Sequence, residues 1–320
     1  MKLLNSTVSK TVGAAAVASA LLLPTQASAN LTFGSDMFIN TAAIGYNNSG
    51  DAGDDGNTFT DVFDQFTFGQ LLATSVYFID EAGEAGLPAP GAPGSDVRLF
   101  GSFFDTNDAA TLTALGAPQP TGGQTVIDGL KPLTSSSVPG APTDDLEDFG
   151  SPTGWGLGVA TDIQGVLTAT GPQYTSGTIE LRAFTGGAFT ASPALTFSVR
   201  GSAITGPDLN LFLDVTQAIS NFLFIEVGGS FIDIADAIND PSFPSAVIDT
   251  NVNPPIPSFN NIGAQALTVA TLDGETVAWR QTTLDGSAGI QVPSPGPLAL
   301  IGVGLFAAGV SRFSKKRKAA

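Results

Sequence analysis

The chain has 320 residues, with 29 acidic side chains against 12 basic ones, and neither histidine nor cysteine. That inventory excludes a Ser-His-Asp triad, a cysteine nucleophile, the common zinc sites and any disulfide framework. The acid excess repels phosphate backbones, so no nucleic acid partner is expected, and it favours solubility and association with divalent cations.

The first 29 residues carry a positive start (Lys2, Lys10), an apolar span from Val12 to Leu23, a helix-ending Pro24 and then Ala27-Ser28-Ala29. Small residues in that spacing are what signal peptidase requires, so a signal peptide over 1–29 is expected, cut between Ala29 and Asn30. An uncleaved anchor is the competing reading, but the apolar span falls short of the roughly 20 residues a spanning helix needs. The body, 30–291, is long enough to bury one sizeable core, with a division near residue 145 as the alternative. Its only basic residues are Arg98, Lys131, Arg182, Arg200 and Arg280, set against all 29 acids.

Early in the body, Asn47 to Phe66 reads NNSGDAGDDGNTFTDVFDQF. Asp51, Asp54, Asp55, Asn57 and Asp61, with Asp64 following, crowd hard oxygen ligands around Gly53 and Gly56, the composition that calcium loops use. An EF-hand count from Asp51 places Gly53 and Val62 at ligand positions, so the motif is not an EF-hand. Calcium is the one candidate cofactor, against the competing reading of a solvated acidic turn. Asp144, Asp145, Glu147 and Asp148 form a second acidic cluster, read as a solvated loop.

Short runs rich in Val, Ile, Thr and Phe alternate with Gly, Pro, Asn and Asp clusters through the rest, the pattern of an all-β fold. Strands are expected within 71–79, 97–104, 166–170, 178–184, 194–199, 209–215 and 222–227. Thr178 to Arg182 alternates cleanly, which predicts one wet face. Helix is expected only over 108–115 and 234–238. Stretches 86–95, 116–123, 132–154 and 240–261, rich in Pro, Gly and Ser, read as irregular. The expected architecture is a jelly-roll-like β-sandwich with long loops, flanked by an N-terminal signal helix and a C-terminal hydrophobic helix. Trp155, between two glycines in SPTGWGLG, is the candidate platform for stacking a sugar ring, set against a core position packed on glycine backbone, which is the preferred reading because large aromatics dominate β-sandwich cores.

Ala266 to Val292 is the clearest single element. Asp273-Gly274 suits the positive φ of a two-residue type I′ turn, so residue numbers across the hairpin sum to 547. Val277 then pairs with Ala270, Trp279 with Thr268 and Ala278 with Val269, leaving apolar groups on both faces. Asp285-Gly286 predicts a second turn. No catalytic residues are nominated: Lys131 is the body's only lysine, and acids this numerous pair by chance in any fold. The chain is expected not to be an enzyme.

The chain closes with VPSPGPLALIGVGLFAAGVSRFSKKRK. Leu298 to Val310 is expected to form a short apolar helix, and Arg312, Lys315, Lys316, Arg317 and Lys318 would hold its end on the cytoplasmic side, a marginal stop-transfer element. A permanent anchor competes with this; a GPI-type tail lacks such a basic end. Proline motif, apolar helix and basic tail in that order resemble the PEP-CTERM sorting signal. Val292-Pro293-Ser294-Pro295 matches the usual Val-Pro-Glu-Pro except at Ser294. The resemblance implies transient insertion in the inner membrane and cleavage by exosortase, with segment 292–320 serving as the signal. Signal peptidase and exosortase are thus the processing partners. The expected role is a non-enzymatic protein of the cell surface or extracellular matrix in adhesion, aggregation or biofilm. A carbohydrate-binding module acting on exopolysaccharide is the alternative.

Overall fold

A computed structural model describes residues 35–47, 57–78, 96–101, 106–118, 127–131, 148–150, 154–185, 188–205, 208–238, 245–253 and 267–291, all within one compact unit. The expected signal helix and C-terminal helix lie outside the described residues. The β-rich reading holds: the described chain is mostly antiparallel strand, with two helices, α1 (Thr106–Leu115) and α2 (Ile234–Ala237).

Eight strands form the main body: β2 (Gln65–Phe78), β3 (Asp96–Gly101), β5 (Trp155–Thr168), β6 (Gly171–Thr185), β8 (Leu195–Thr205), β9 (Asp208–Ala218), β12 (Ser245–Asn253) and β14 (Glu275–Gln291). Each pairs antiparallel with the next in that order, and β14 returns to pair with β2. The sheet therefore closes into a barrel whose strands follow chain order, in place of the two-layer jelly-roll arrangement. Short strands decorate it: β4 (Gly129–Lys131) on β2, β7 (Ala188–Phe189) on β6, and β13 (Thr268–Leu272) on β14. β2 and β3 precede residue 145 and β5 follows it, so strands from both sides of the alternative boundary are hydrogen-bonded neighbours in one ring.

Alternation explains which way the wall faces. Leu71, Leu99, Val159, Ile179, Phe197, Leu211, Ile248 and Leu284, one from each strand, surround a common interior. The intervening positions, such as Glu180, Arg182, Arg200 and Asp214, face outward. Burying one apolar face per strand contributes roughly 25 cal/mol per Å² of apolar surface, which fixes the register. On the outer wall, Arg98 of β3 donates two hydrogen bonds to Asp162 of β5, at 2.8 and 2.9 Å, and lies over the Phe100 ring.

Glycines turn the barrel's corners. The β5–β6 register shifts between Gln164 and Gly165, and a Cβ on Gly165 would meet the Gln173 carbonyl oxygen at 1.9 Å. Gly286 plays the same part in β14, where a Cβ would come within 2.1 Å of the Asp249 oxygen. The turn expected at Asp285-Gly286 is therefore corrected. β14 runs unbroken, and this Asp-Gly pair marks a bulge opposite β2 because two neighbouring strands hold it extended. Asp273-Gly274, with φ of 53° and 91°, does turn, in the register that sums to 547.

One end of the barrel is covered by a small sheet of β1 (Met37–Ile39), β10 (Leu223–Val227) and β11 (Ser230–Asp233). Met37, Ile39, Leu223 and Ile225 from this sheet join the barrel core. Its other face gathers Phe38, Phe59, Phe224 and Phe231 into an aromatic cluster. Outside the wall, α1 lays Leu112 and Leu115 over Val76, Phe100, Val277 and Trp279, which covers the apolar outer face of the hairpin.

Candidate functional site

Trp155 begins β5 and is 0% exposed, with its ring edge-to-face against Phe149 at 4.9 Å. This corrects the stacking-platform reading, since a sugar ring needs an exposed indole face and this one is core. The neighbouring glycine leaves room for packing: a Cβ on Gly156 would strike the Phe184 ring at 2.4 Å.

In the acidic segment, Asp51, Asp54 and Asp55 lie outside the described residues, while Asn57 and Asp61 flank the capping sheet. Asn57 accepts a 2.6 Å hydrogen bond from the Phe59 amide, and the segment continues into a bridge between Phe63 and Met37. Asp64 is held above the ordinary carboxyl pKa of 3.8 by burial and by the charge of Asp36. Among the described residues no three acidic side chains gather where they could share a cation. Of the second cluster, Asp148 is described and accepts a hydrogen bond from the Tyr46 hydroxyl at 3.0 Å. Ala27, Ala29, Asn30, Val292 to Pro295 and the basic residues Arg312 to Lys318 lie outside the described residues.

The feature that sequence reasoning missed is inside the barrel. Three of the body's five cations, Arg98, Arg182 and Arg200, make ion pairs with Asp162, Glu180 and Asp214 on the outer wall. Arg280 is placed on the inner side of the wall. It occupies the inward register of β14, one position from Trp279, and is only 7% exposed. Across the β14–β2 ladder it sits opposite Ser75, while Tyr77 sits opposite Ala278. Tyr77 aligns in turn with Val97 of β3, Gly165 of β5 and Tyr174 of β6, so both phenols enter the lumen at this end. Gly165 projects no side chain between them.

Both hydroxyls respond to that setting. Burial raises the Tyr77 phenol above its usual 10.0, opposed by the charge of Arg280 and by hydrogen bonding toward Ser75 and Arg280. Tyr174 is raised further, by burial and by Tyr77, with Arg280 and Ser75 again opposing. The Tyr77 hydroxyl lies within electrostatic reach of Arg280 and Ser75 but makes no aligned hydrogen bond, and neither does the buried Thr282 hydroxyl, the next inward position beyond Arg280. Leu284 follows Thr282 and lines an apolar cavity of about 50 Å³ at the barrel's middle. The lumen thus has an apolar floor and a polar, positively charged upper layer. The one signal in the sequence was the hairpin register, which puts Arg280 on the face of Ala278.

No family model, curated protein or solved structure matches this chain.

Proposed function

We propose that the chain is an exported, non-catalytic protein of the cell surface or extracellular matrix, whose body is a closed antiparallel barrel in place of a jelly-roll sandwich. It reaches that location through the leader over 1–29 and the exosortase signal over 292–320, and it acts in adhesion, aggregation or biofilm. The observation that carries the reading is where the body stops. The ring's last strand ends at Gln291, and the proline motif starts at Val292. The described ring needs nothing beyond that point, and paired prolines favour an extended backbone that a protease can enter. The polar outer wall supports a body that stands in water, and a cysteine-free core supports stability that does not depend on redox state.

Calcium belongs to the same proposal. The Asp36–Asp64 repulsion at the base of the acidic segment is what a bound cation would relieve. Melting with and without EGTA tests it, and an unchanged midpoint removes calcium from the proposal.

The export route is tested by the mass of the protein recovered outside its native host. A fragment starting at Asn30 and ending within Val292–Pro295 is expected. Full-length, uncut chain dissolved in the cytosol of healthy cells would refute the route and the role with it.

A further inference from the structure

On the outer wall, a cleft of about 370 Å³ opens where β3, β5 and β6 run side by side. That volume lies within the roughly 300–1,000 Å³ of small-ligand sites. Register explains its floor. Arg98 pairs with Gln164 and Gln164 with Ser176, so three outward side chains stand in one row across three strands. At about 4.8 Å between neighbouring strands, the row is roughly 10 Å long. Beside it the β5–β6 register shifts: Ser176 faces Gln164 and Tyr174 faces Gly165, which makes Thr175 the extra residue of a bulge. Bulges re-aim side chains, and Thr175 joins the lining of the cleft.

Strands hold this lining in place before any ligand arrives. Arg98 is fixed by its two hydrogen bonds to Asp162 and by the Phe100 ring beneath it. Gln164, Thr175 and Ser176 are exposed and offer both donors and acceptors. Asp96 and Glu275 bring two carboxylates to the same cleft, while the half-buried Phe78 and Val166 bring apolar surface. Charge and topology then narrow the ligand. The carboxylates oppose an anion, since Arg98, the cation of the lining, is already paired with Asp162. β3 and β5 are each hydrogen-bonded on both sides, so neither offers an edge on which a peptide could add as a strand. A simple amine would engage a carboxylate and leave the row of amide and hydroxyl groups unmatched.

We infer that this cleft binds a short, neutral oligosaccharide. Sugar hydroxyls both donate and accept, which suits a row that mixes guanidinium, amide, hydroxyl and carboxylate groups, and the C–H face of a ring packs on Phe78. The contact is made toward the far end of β5 from the buried Trp155. The inference stands on the barrel wall alone and depends on neither export nor calcium, so the mass of the exported protein and the binding of a sugar can fail separately.

The test applies the full-length chain to an array of neutral and uronic-acid-bearing oligosaccharides, titrates the bound ones by calorimetry, and titrates spermidine alongside. A neutral oligosaccharide is expected to saturate one site, at least about tenfold more tightly than its uronic-acid counterpart, which the two carboxylates repel. Gln164→Ala and Ser176→Ala alter exposed side chains and should each weaken the neutral sugar about fivefold, the effect of one lost hydrogen bond, with the fold intact by circular dichroism. Asp96→Asn combined with Glu275→Gln should narrow the gap between the neutral and the acidic sugar. No neutral oligosaccharide bound, equal or tighter binding of the acidic one, or salt-sensitive binding of spermidine alone would each overturn the inference. So would folded Gln164→Ala and Ser176→Ala variants with unaltered affinity.

Discussion

Replacing Trp155 with alanine distinguishes a core tryptophan from a surface platform, and the structure sets the size of the effect. The indole is fully buried at the start of β5. A buried tryptophan removes about 150–250 Å² from water, worth about 4–6 kcal/mol at 25 cal/mol per Å². The edge-to-face contact with Phe149 adds about 0.5–1.5 kcal/mol. Against this, the buried Nε1–H has no hydrogen-bond partner, which offsets about 1–3 kcal/mol. The expected loss in Trp155→Ala is therefore about 3–5 kcal/mol, in line with aromatic truncations in other cores. For a body of this size each kcal/mol lowers Tm by about 2–4 °C, so differential scanning calorimetry should record a fall of about 6–20 °C. Trp155→Phe should lose far less, because it keeps a ring and sheds the unpartnered N–H. An exposed platform would tolerate alanine within about 0.5 kcal/mol. A shift below about 2 °C in a two-state melt would therefore refute the packing argument.

Three further outcomes are expected. Gly286→Ala drives a methyl into the Asp249 carbonyl and should cost about 1–3 kcal/mol, while Gly201→Ala, with its nearest neighbour 4.0 Å away, should be close to neutral; equal melting shifts would contradict the bulge geometry. Asp64 and Asp249 both have raised carboxyl pKa values, from burial and from the charges of Asp36 and Asp208 respectively. Their folded forms favour the proton, so this contribution is full below 3.8 and is lost as pH rises through the folded values; Asp64→Asn and Asp249→Asn should therefore raise Tm at pH 7, and a fall in both would be the wrong sign. Tyr77 and Tyr174 should resist ionisation past pH 10, so their phenolate absorbance should appear only as the barrel opens; a native circular dichroism spectrum with both of them ionised near pH 10 would contradict their burial.

Local signals in the sequence were read correctly where local chemistry decides. The Asp273-Gly274 turn fixed the β13–β14 register residue for residue, because a type I′ turn leaves no freedom of phase. Helix α1 and most strands lie where periodicity and turn residues placed them. Two readings went astray because a distant partner decides. Segment 240–261 looked irregular, yet β12 within it is hydrogen-bonded on both sides, by β9 and β14, and flanking order outweighs its weak propensity. Asp285-Gly286 has the composition of a turn and serves as a bulge. For Trp155 the sequence offered both a platform and a core position, and the preferred core position is the one observed, with Gly156 small because Phe184 needs the space. The charged lumen was hidden for the same reason: nothing near Arg280 in sequence reports that its face closes around Ser75, Tyr77 and Tyr174, which come from strands far back in the chain.

The β14–β2 seam also governs when folding can finish. Its partners, such as Leu284 with Leu71, are separated by most of the ring's length, and so many distant contacts slow the search for the native state. Until the final strand arrives, β2 and β12 each present an unsatisfied edge, the kind of surface on which chains aggregate. A polypeptide threaded outward amino end first would therefore spend its passage as an open sheet and lock shut only as Gln291 emerges. Any chaperone that attends it has its work in that interval, and a truncation that removes β14 should produce aggregates rather than a smaller folded protein.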